Sequence, residues 1–280
     1  MSTEISAEGE VRMTLQHRRV VVGFDASAGA YDVVEWAARE ADARMSSLRV
    51  VTCWAVPLTV DFYGVGARQA EALAEVVATA QRVHPGLSVE SAATHLDPRD
   101  ALIDEASRAD LLVIGSSEPG AARTLLLGSV ARTAARRSPC PVVVVRGRGV
   151  RDVRRIVVGI DGSSASMSAL DWACDEANRH GGSLSLVHSW EHLGSRDAAN
   201  QVLDDALTEC RARTSCPVSG ELCEGSPSTV LVRASRNADV VAIGSRGRSG
   251  FKTALFGSVA LEVAEHSECP VAITHPRMRR

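Results

Sequence analysis

Long apolar runs are missing from this sequence. Those present, such as the four valines at 142–145, fall far short of the roughly 20 residues that a membrane-crossing helix needs. A helical membrane protein is thereby excluded. Residues 1–16 are polar and acidic and lack the apolar core of a signal peptide, so they read as a disordered lead-in. No charge of one sign dominates: 31 basic and 34 acidic side chains leave a net −3, no whole-chain electrostatic footprint for nucleic acid. The short basic runs at 146–155 and 277–280 read as a linker and a solvated tail. CxxC is absent as well. The seven cysteines are odd in number, and most sit in apolar strand or helix patterns. Cys210, Cys216 and Cys223 match no zinc spacing, so the expectation is a reduced, cytoplasmic protein with no metal site.

What is present is an ordinary globular composition, 45% hydrophobic and 23% charged, in 280 residues, enough for two domains. The chain repeats itself. Arg19-Val-Val-Val-Gly-Phe-Asp25-Ala-Ser27 returns as Arg155-Ile-Val-Val-Gly-Ile-Asp161-Gly-Ser163, an offset of 136 residues that also relates Trp36 to Trp172, Glu40 to Glu176 and Trp54 to Trp190. Further on the offset is 129, relating Pro98 to Pro227, Gly128-Ser129 to Gly257-Ser258 and Cys140-Pro141 to Cys269-Pro270. The first copy therefore carries seven extra residues between Trp54 and Pro98. A repeat this long is a domain, and the division expected is 1–16 lead-in, 17–147 first domain, 148–280 second domain.

Each copy alternates apolar runs with segments of helical period, the pattern of an α/β fold with a parallel sheet between helices. Strands are expected at 20–24, 48–54, 88–93, 111–115 and 141–145, and again within 155–160, 184–190, 217–222, 240–244 and 270–274. The first helix of copy one, 29–44, has an apolar face of Val33, Val34, Ala37, Ala38 and Ala41; copy two presents Ala169, Leu170, Ala173, Cys174 and Ala177 in its place. Second helices fall at 66–83 and 197–213, and short helices follow Pro98 and Pro227, where proline suits a first turn. The sum is two tandem Rossmann-like domains, each an open sheet of five strands with four helices. In such sheets ligands bind beyond the strand C-termini, where strand order reverses.

The most informative stretch is 244–258, Gly-Ser-Arg-Gly-Arg-Ser-Gly-Phe-Lys-Thr-Ala-Leu-Phe-Gly-Ser. It links the apolar run 240–243 to a helix opening at Gly257-Ser258, whose unpaired N–H groups suit phosphate oxygens. Glycines allow positive φ and close approach of backbone to a ligand. The spacing, Gly, two residues, Gly, nine residues, Gly-Ser, is neither a P-loop nor a dinucleotide fingerprint. It resembles, at every fixed position, the signature of the ATP-binding members of the universal stress protein family, and the resemblance extends over both copies. It implies strand order 3-2-1-4-5, which brings the ends of strands one and four to one crevice. It also implies an aspartate by the adenine and ribose, here Asp161, with Gly162 and Ser163 beside it. Gly244, Gly247, Gly257, Ser258 and the amide of Val259 are the phosphate candidates. Ser258 is expected to cap the helix and to offer its hydroxyl. Arg246, Arg248 and Lys252 give long-range help only. His188 and His192 lie at the end of strand two and read as packed or solvated.

Copy one departs from the pattern. Its loop keeps Gly115, Gly128 and Ser129, with Asp25 at the end of strand one, but Glu118 stands where Gly247 stands and Pro119 follows it. If the position needs positive φ, a side chain costs about 1–2 kcal/mol there. A carboxylate about 4 Å from a phosphate oxygen adds repulsion on the order of 4 kcal/mol at an effective dielectric near 20. The first site is therefore expected to bind nucleotide weakly or not at all. The family resemblance implies an ATP-binding stress-response or regulatory protein, a nucleotide-dependent binding module read by a protein partner, and dimerisation through strand five, which tandem copies can satisfy internally; a homodimer of the whole chain is expected besides. Two other classes stay open. One is a slow ATPase or self-phosphorylating protein, with Asp161 holding Mg²⁺ indirectly and Ser245 or Ser258 as phosphoryl acceptor, although no dedicated catalytic constellation is present. The other is a nucleotide-free partner-binding scaffold.

Overall fold

A computed structural model describes residues 19–53, 62–116, 127–146, 153–190, 195–247 and 257–276, with backbone alone for 62–66. The lead-in, Trp54, Glu118, Pro119, His192, Arg248, Lys252 and the basic tail lie outside the described residues. By internal contacts the chain divides into two units, residues 1–113 and 114–280.

In the first unit β1 (Arg19–Phe24) pairs in parallel with β2 (Ser47–Cys53) on one side and with the start of β4 (Leu111–Gly115) on the other, and β2 pairs with β3 (Val89–Thr94). Helices α1 (Ala30–Ala43), α2 (Phe62–Val83) and α3 (Pro98–Ala106) connect them. In the second unit, α4 (Ser129–Arg137) and β5 (Val142–Val145) complete the first sequence repeat, Ser116 N–H donating to the Val145 carbonyl at 3.2 Å. The second repeat then runs β6 (Arg155–Gly159), α5 (Ser164–His180), β7 (Ser183–Trp190), α6 (Arg196–Arg213), β8 (Val218–Glu224), α7 (Pro227–Ser235), β9 (Val240–Gly244), α8 (Ser258–His266) and β10 (Val271–Thr274). Its strands line up as β8-β7-β6-β9-β10, which is 3-2-1-4-5, and those of the first unit as β3-β2-β1-β4, the same order as far as that unit goes. The pairings β1–β2, β1–β4 and β2–β3, and those among the five strands of the second repeat, are parallel.

Parallel strands with helices on both faces must be apolar throughout, and Val20–Val22, Leu111–Val113 and Val240–Ala242 are fully buried. The outermost strands β3 and β8 are mixed in burial and composition. The apolar faces of α1 and α5 read from the sequence are buried in full. Asp97, Ser163, Ser195 and Ser226 cap α3, α5, α6 and α7 through their side chains, with Pro98 and Pro227 in the first turns. By contrast α1, α4 and α8 open on Gly29, Gly128 and Gly257 with no side-chain cap. The repeats also differ at two left-handed positions. Gly162 (φ 74°) and Gly181 (φ 63°) in the second answer to Ala26 (φ 58°) and Met45 (φ 51°) in the first, where a Cβ makes the conformation costly.

Strand five explains why the second unit begins before the second repeat. β5 pairs antiparallel with β10, Val142 with Ile273, Val143 with Ala272 and Val144 with Val271. With an offset of 129 residues, the ladder is symmetric about Val143 and Ala272: each end of one strand meets the opposite end of its own counterpart. The residues after the two strands are equivalent too. His275 Nε2 donates to the Ala135 carbonyl of α4 at 3.1 Å, and Arg146 donates to the equivalent Ala264 carbonyl of α8. Each satisfies a carbonyl in the last turn of the other repeat's helix. The symmetry is broken at Glu265, buried on α8, whose Oε1 accepts from Arg132 Nη2 at 2.7 Å and from the Leu127 N–H at 3.4 Å. Burial lowers the pKa of His275 from its ordinary 6.5; the bond to Ala135 opposes this and the Arg246 charge adds to it. The unfolded chain thus takes up this proton at a higher pH than the folded one. The contribution to stability is complete above the ordinary value and is lost as pH falls toward the folded value. His275→Gln keeps a donor for Ala135 without titrating, so it should flatten the fall in unfolding free energy between about pH 7 and pH 5; chemical denaturation across that range checks this, and an unchanged slope contradicts it.

Candidate functional site

β6 and β9 are parallel neighbours that end side by side, the place where a sheet of this order is expected to hold a crevice. Beyond β6 the chain turns at Asp161-Gly162-Ser163. Asp161 Oδ1 accepts from the Ser163 N–H at 2.9 Å, and Ser163 Oγ accepts from the Ser166 N–H at 3.1 Å to start α5. This is the Asx turn that an aspartate in such a position favours, and Gly162 supplies its positive φ. Beyond β9, Ser245 N–H donates to the Thr274 carbonyl at 2.7 Å, holding the loop on β10. The two loops then meet: Ser163 Oγ donates to the Arg246 carbonyl at 3.3 Å. Asp161 and the Gly244 loop thus share one crevice end, as the strand order implies.

The three motif glycines answer to three different neighbours. A Cβ on Gly244 would stand 2.6 Å from the Ala165 carbonyl carbon and 2.7 Å from the Ser166 nitrogen, so this glycine lets the first turn of α5 sit on the end of β9. A Cβ on Gly247 would stand 2.7 Å from Asp161 Oδ2. Gly257 has room, with nothing nearer than 3.4 Å; its N–H donates to the Ser245 carbonyl at 2.9 Å, which brings the start of α8 beside the 245–247 loop. Two sequence expectations are corrected here. None of the three glycines has positive φ; the left-handed residue of this crevice is Gly162, because the turn falls after β6 rather than after β9. Ser258 is not the cap of α8. Gly257 holds the cap position, and Ser258 is the first helical residue, exposed to solvent, followed by half-buried Val259. With no side-chain cap, the first-turn N–H groups of α8 lack partners within the helix.

Two further residues named in the sequence lie beside Asp161 and the Gly244 loop. Ser245 Oγ is buried and has no hydrogen-bond partner among the described residues. His188, at the end of β7, lies 2.6 Å through Nδ1 from the carbonyl of Ile160, the residue before Asp161, and holds that carbonyl in place. In the first repeat, Asp25 Oδ1 accepts from the Ser27 N–H at 2.9 Å, the same turn as at Asp161. In the second unit Gly115 ends β4, Gly128 N–H donates to the Ser116 carbonyl at 3.0 Å as Gly257 does to Ser245, and exposed Ser129 is the first residue of uncapped α4.

The sequence profile of the universal stress protein family matches residues 16–146 and again 152–275. A universal stress protein of Mycolicibacterium smegmatis is 31% identical over 285 residues, covering 92% of this chain and 97% of its own length. One from Mycobacterium tuberculosis is 30% identical over 285 residues, covering 91% and 95%. The crystal structure of a universal stress protein from Archaeoglobus fulgidus superposes with a TM-score of 0.72 at 22% identity, over 94% of this chain and 100% of that one, a likeness of fold.

The division of labour among the glycines is testable by stability. Gly244→Ala forces backbone apart and should cost about 1–3 kcal/mol. Gly257→Ala, whose Cβ would meet only ordinary contacts of 3.4 Å and beyond, should cost less than about 1 kcal/mol, the scale of a cap substitution. Equal losses in denaturant unfolding would contradict the assignment of Gly244 to packing.

Proposed function

The chain belongs to the universal stress protein family, and on that premise we propose that its second domain, residues 148–280, binds ATP and that the protein works as a nucleotide-dependent regulatory module. The observation that carries this reading is the opening of α8. An uncapped helix N-terminus is tied through Gly257 to the loop that touches Asp161, so anion donors and a carboxylate converge at one crevice end. The residues fit a nucleoside triphosphate. Amides of Gly257, Ser258 and Val259 and the exposed Ser258 hydroxyl would hold phosphate oxygens, with Gly247 keeping side chains out of the way. Asp161, an acceptor, would orient a sugar hydroxyl or exocyclic amine, with Gly162 and Ser163 holding its turn. ATP supplies a polyanion, with Mg²⁺ as its counterion, whose presence changes what the protein's surface offers to a protein partner. Seven cysteines outside any disulfide suit a cytoplasmic setting.

The first domain, residues 17–147, binds more weakly in this reading, although Asp25, Gly115, Gly128 and Ser129 are retained. The reason is steric and electrostatic rather than conformational. At the Gly247 position a Cβ would stand 2.7 Å from the aspartate's Oδ2 and displace that carboxylate, and the first repeat carries Glu118 there, a second carboxylate for any phosphate to face. Calorimetric titration should give one tight ATP site per chain. Gly247→Glu should weaken that site by about thirtyfold or more, corresponding to roughly half the 4 kcal/mol of a close like-charge contact. Two equally tight sites, or normal binding by Gly247→Glu, would contradict the reading.

A further inference from the structure

Away from the crevice, α5 and α6 each bury a cysteine. Cys174 and Cys210 are 1% and 0% exposed, and their sulfurs lie 3.5 Å apart. Contacts between the two helices flank the pair. Asp171, one turn before Cys174, pairs with Arg213, one turn after Cys210, at 2.5 Å. Asn178 Nδ2 donates to the Arg213 carbonyl at 3.3 Å, and Thr214 Oγ1 donates to Asn178 Oδ1 at 2.6 Å. With helix register pinned in this way, about 1.5 Å separates the sulfurs from the roughly 2.05 Å of a disulfide, a gap on the scale of side-chain rotation. Cys216, half-buried nearby, has its sulfur turned to the Ala177 carbonyl at 3.3 Å.

The surroundings distinguish the two sulfurs. Cys174 S–H donation favours the thiolate on Cys210, and Arg211 and Arg213 act in the same direction against burial. The same bond and its burial hold Cys174 as a thiol. Burial then selects the oxidant. Bulky thiol–disulfide reagents have no path to sulfurs so enclosed, whereas hydrogen peroxide is close to water in size.

We propose that Cys174 and Cys210 are a peroxide-responsive pair that closes to a disulfide between α5 and α6. The Cys210 thiolate attacks a peroxide oxygen; an S–O bond forms, the O–O bond breaks, and the departing hydroxide leaves as water with the proton Cys210 gave up. The Cys174 sulfur then attacks the sulfenic sulfur; the S–S bond forms, the S–O bond breaks, and the hydroxyl leaves as a second water with the Cys174 proton. Two thiols are oxidised and one peroxide is reduced to two waters. The cross-link spans a sequence separation of 36 residues, which restricts the unfolded chain and raises the thermal midpoint.

To test this, the full-length chain is reduced, desalted, exposed to hydrogen peroxide, alkylated in denaturant and mapped by peptide mass spectrometry. Met45, 76% exposed, reports that peroxide acted. The expected product joins the Cys174 and Cys210 peptides, reverts with a dithiol reductant, and melts several degrees higher than the reduced chain. Cys210→Ser and Cys174→Ala should each abolish both effects, and mapping of the unaltered chain carries the test should either variant fail to fold. Recovery of both residues as alkylated thiols at doses that oxidise Met45, or a bridge through Cys216 instead, overturns the proposal.

Discussion

At Gly247 the loop after β9 comes so near the Asp161 carboxylate that a Cβ there would stand 2.7 Å from Oδ2, and the carboxylate would have to shift to admit it. That approach sets the rest of the crevice. It holds because the two loops leave neighbouring parallel strands at the same end and are tied by the Ser163–Arg246 bond. It leaves Gly257 to return the chain to Ser245 and to start α8 beside the same loop. A bare backbone here serves three neighbours at once: a carboxylate, the first turn of α5 and the start of α8.

The seam between β5 and β10 follows a second constraint. Each repeat ends in a short, largely apolar strand whose free edge would template association with another chain. Pairing the two edges antiparallel within the second unit disposes of both, and equivalence of the two strands makes the pairing two-fold symmetric. Arg146 and His275 extend that symmetry to the ends of α8 and α4. Glu265 and Arg132 break it, so the repeats are not interchangeable even where their backbones are.

Much of this was legible in the sequence, for identifiable reasons. Buried parallel strands must be apolar on both faces, so runs such as 240–243 declare themselves. First-turn prolines mark helix starts at Pro98 and Pro227. The repeat, once seen, doubled every assignment. Other features depend on contacts between distant segments. The glycine spacing is visible, but that Gly244 answers to Ala165 and Gly247 to Asp161 depends on how α5 and the β9 loop pack. Positive φ at Met45 and Ala26 is carried by residues that do not advertise it. Glu265 reads as a solvated helix residue until Leu127 and Arg132 are placed against it.

The central claim is that the second repeat of this universal stress protein holds ATP. The most direct measurement is mass spectrometry of the small molecules released when protein, freshly purified without added nucleotide, is denatured. ATP, at one molecule per chain, is the result expected of a crevice built as this one is. Release of no adenine nucleotide, together with no rise in thermal midpoint when ATP is added back, would contradict it and leave a duplicated scaffold without a nucleotide.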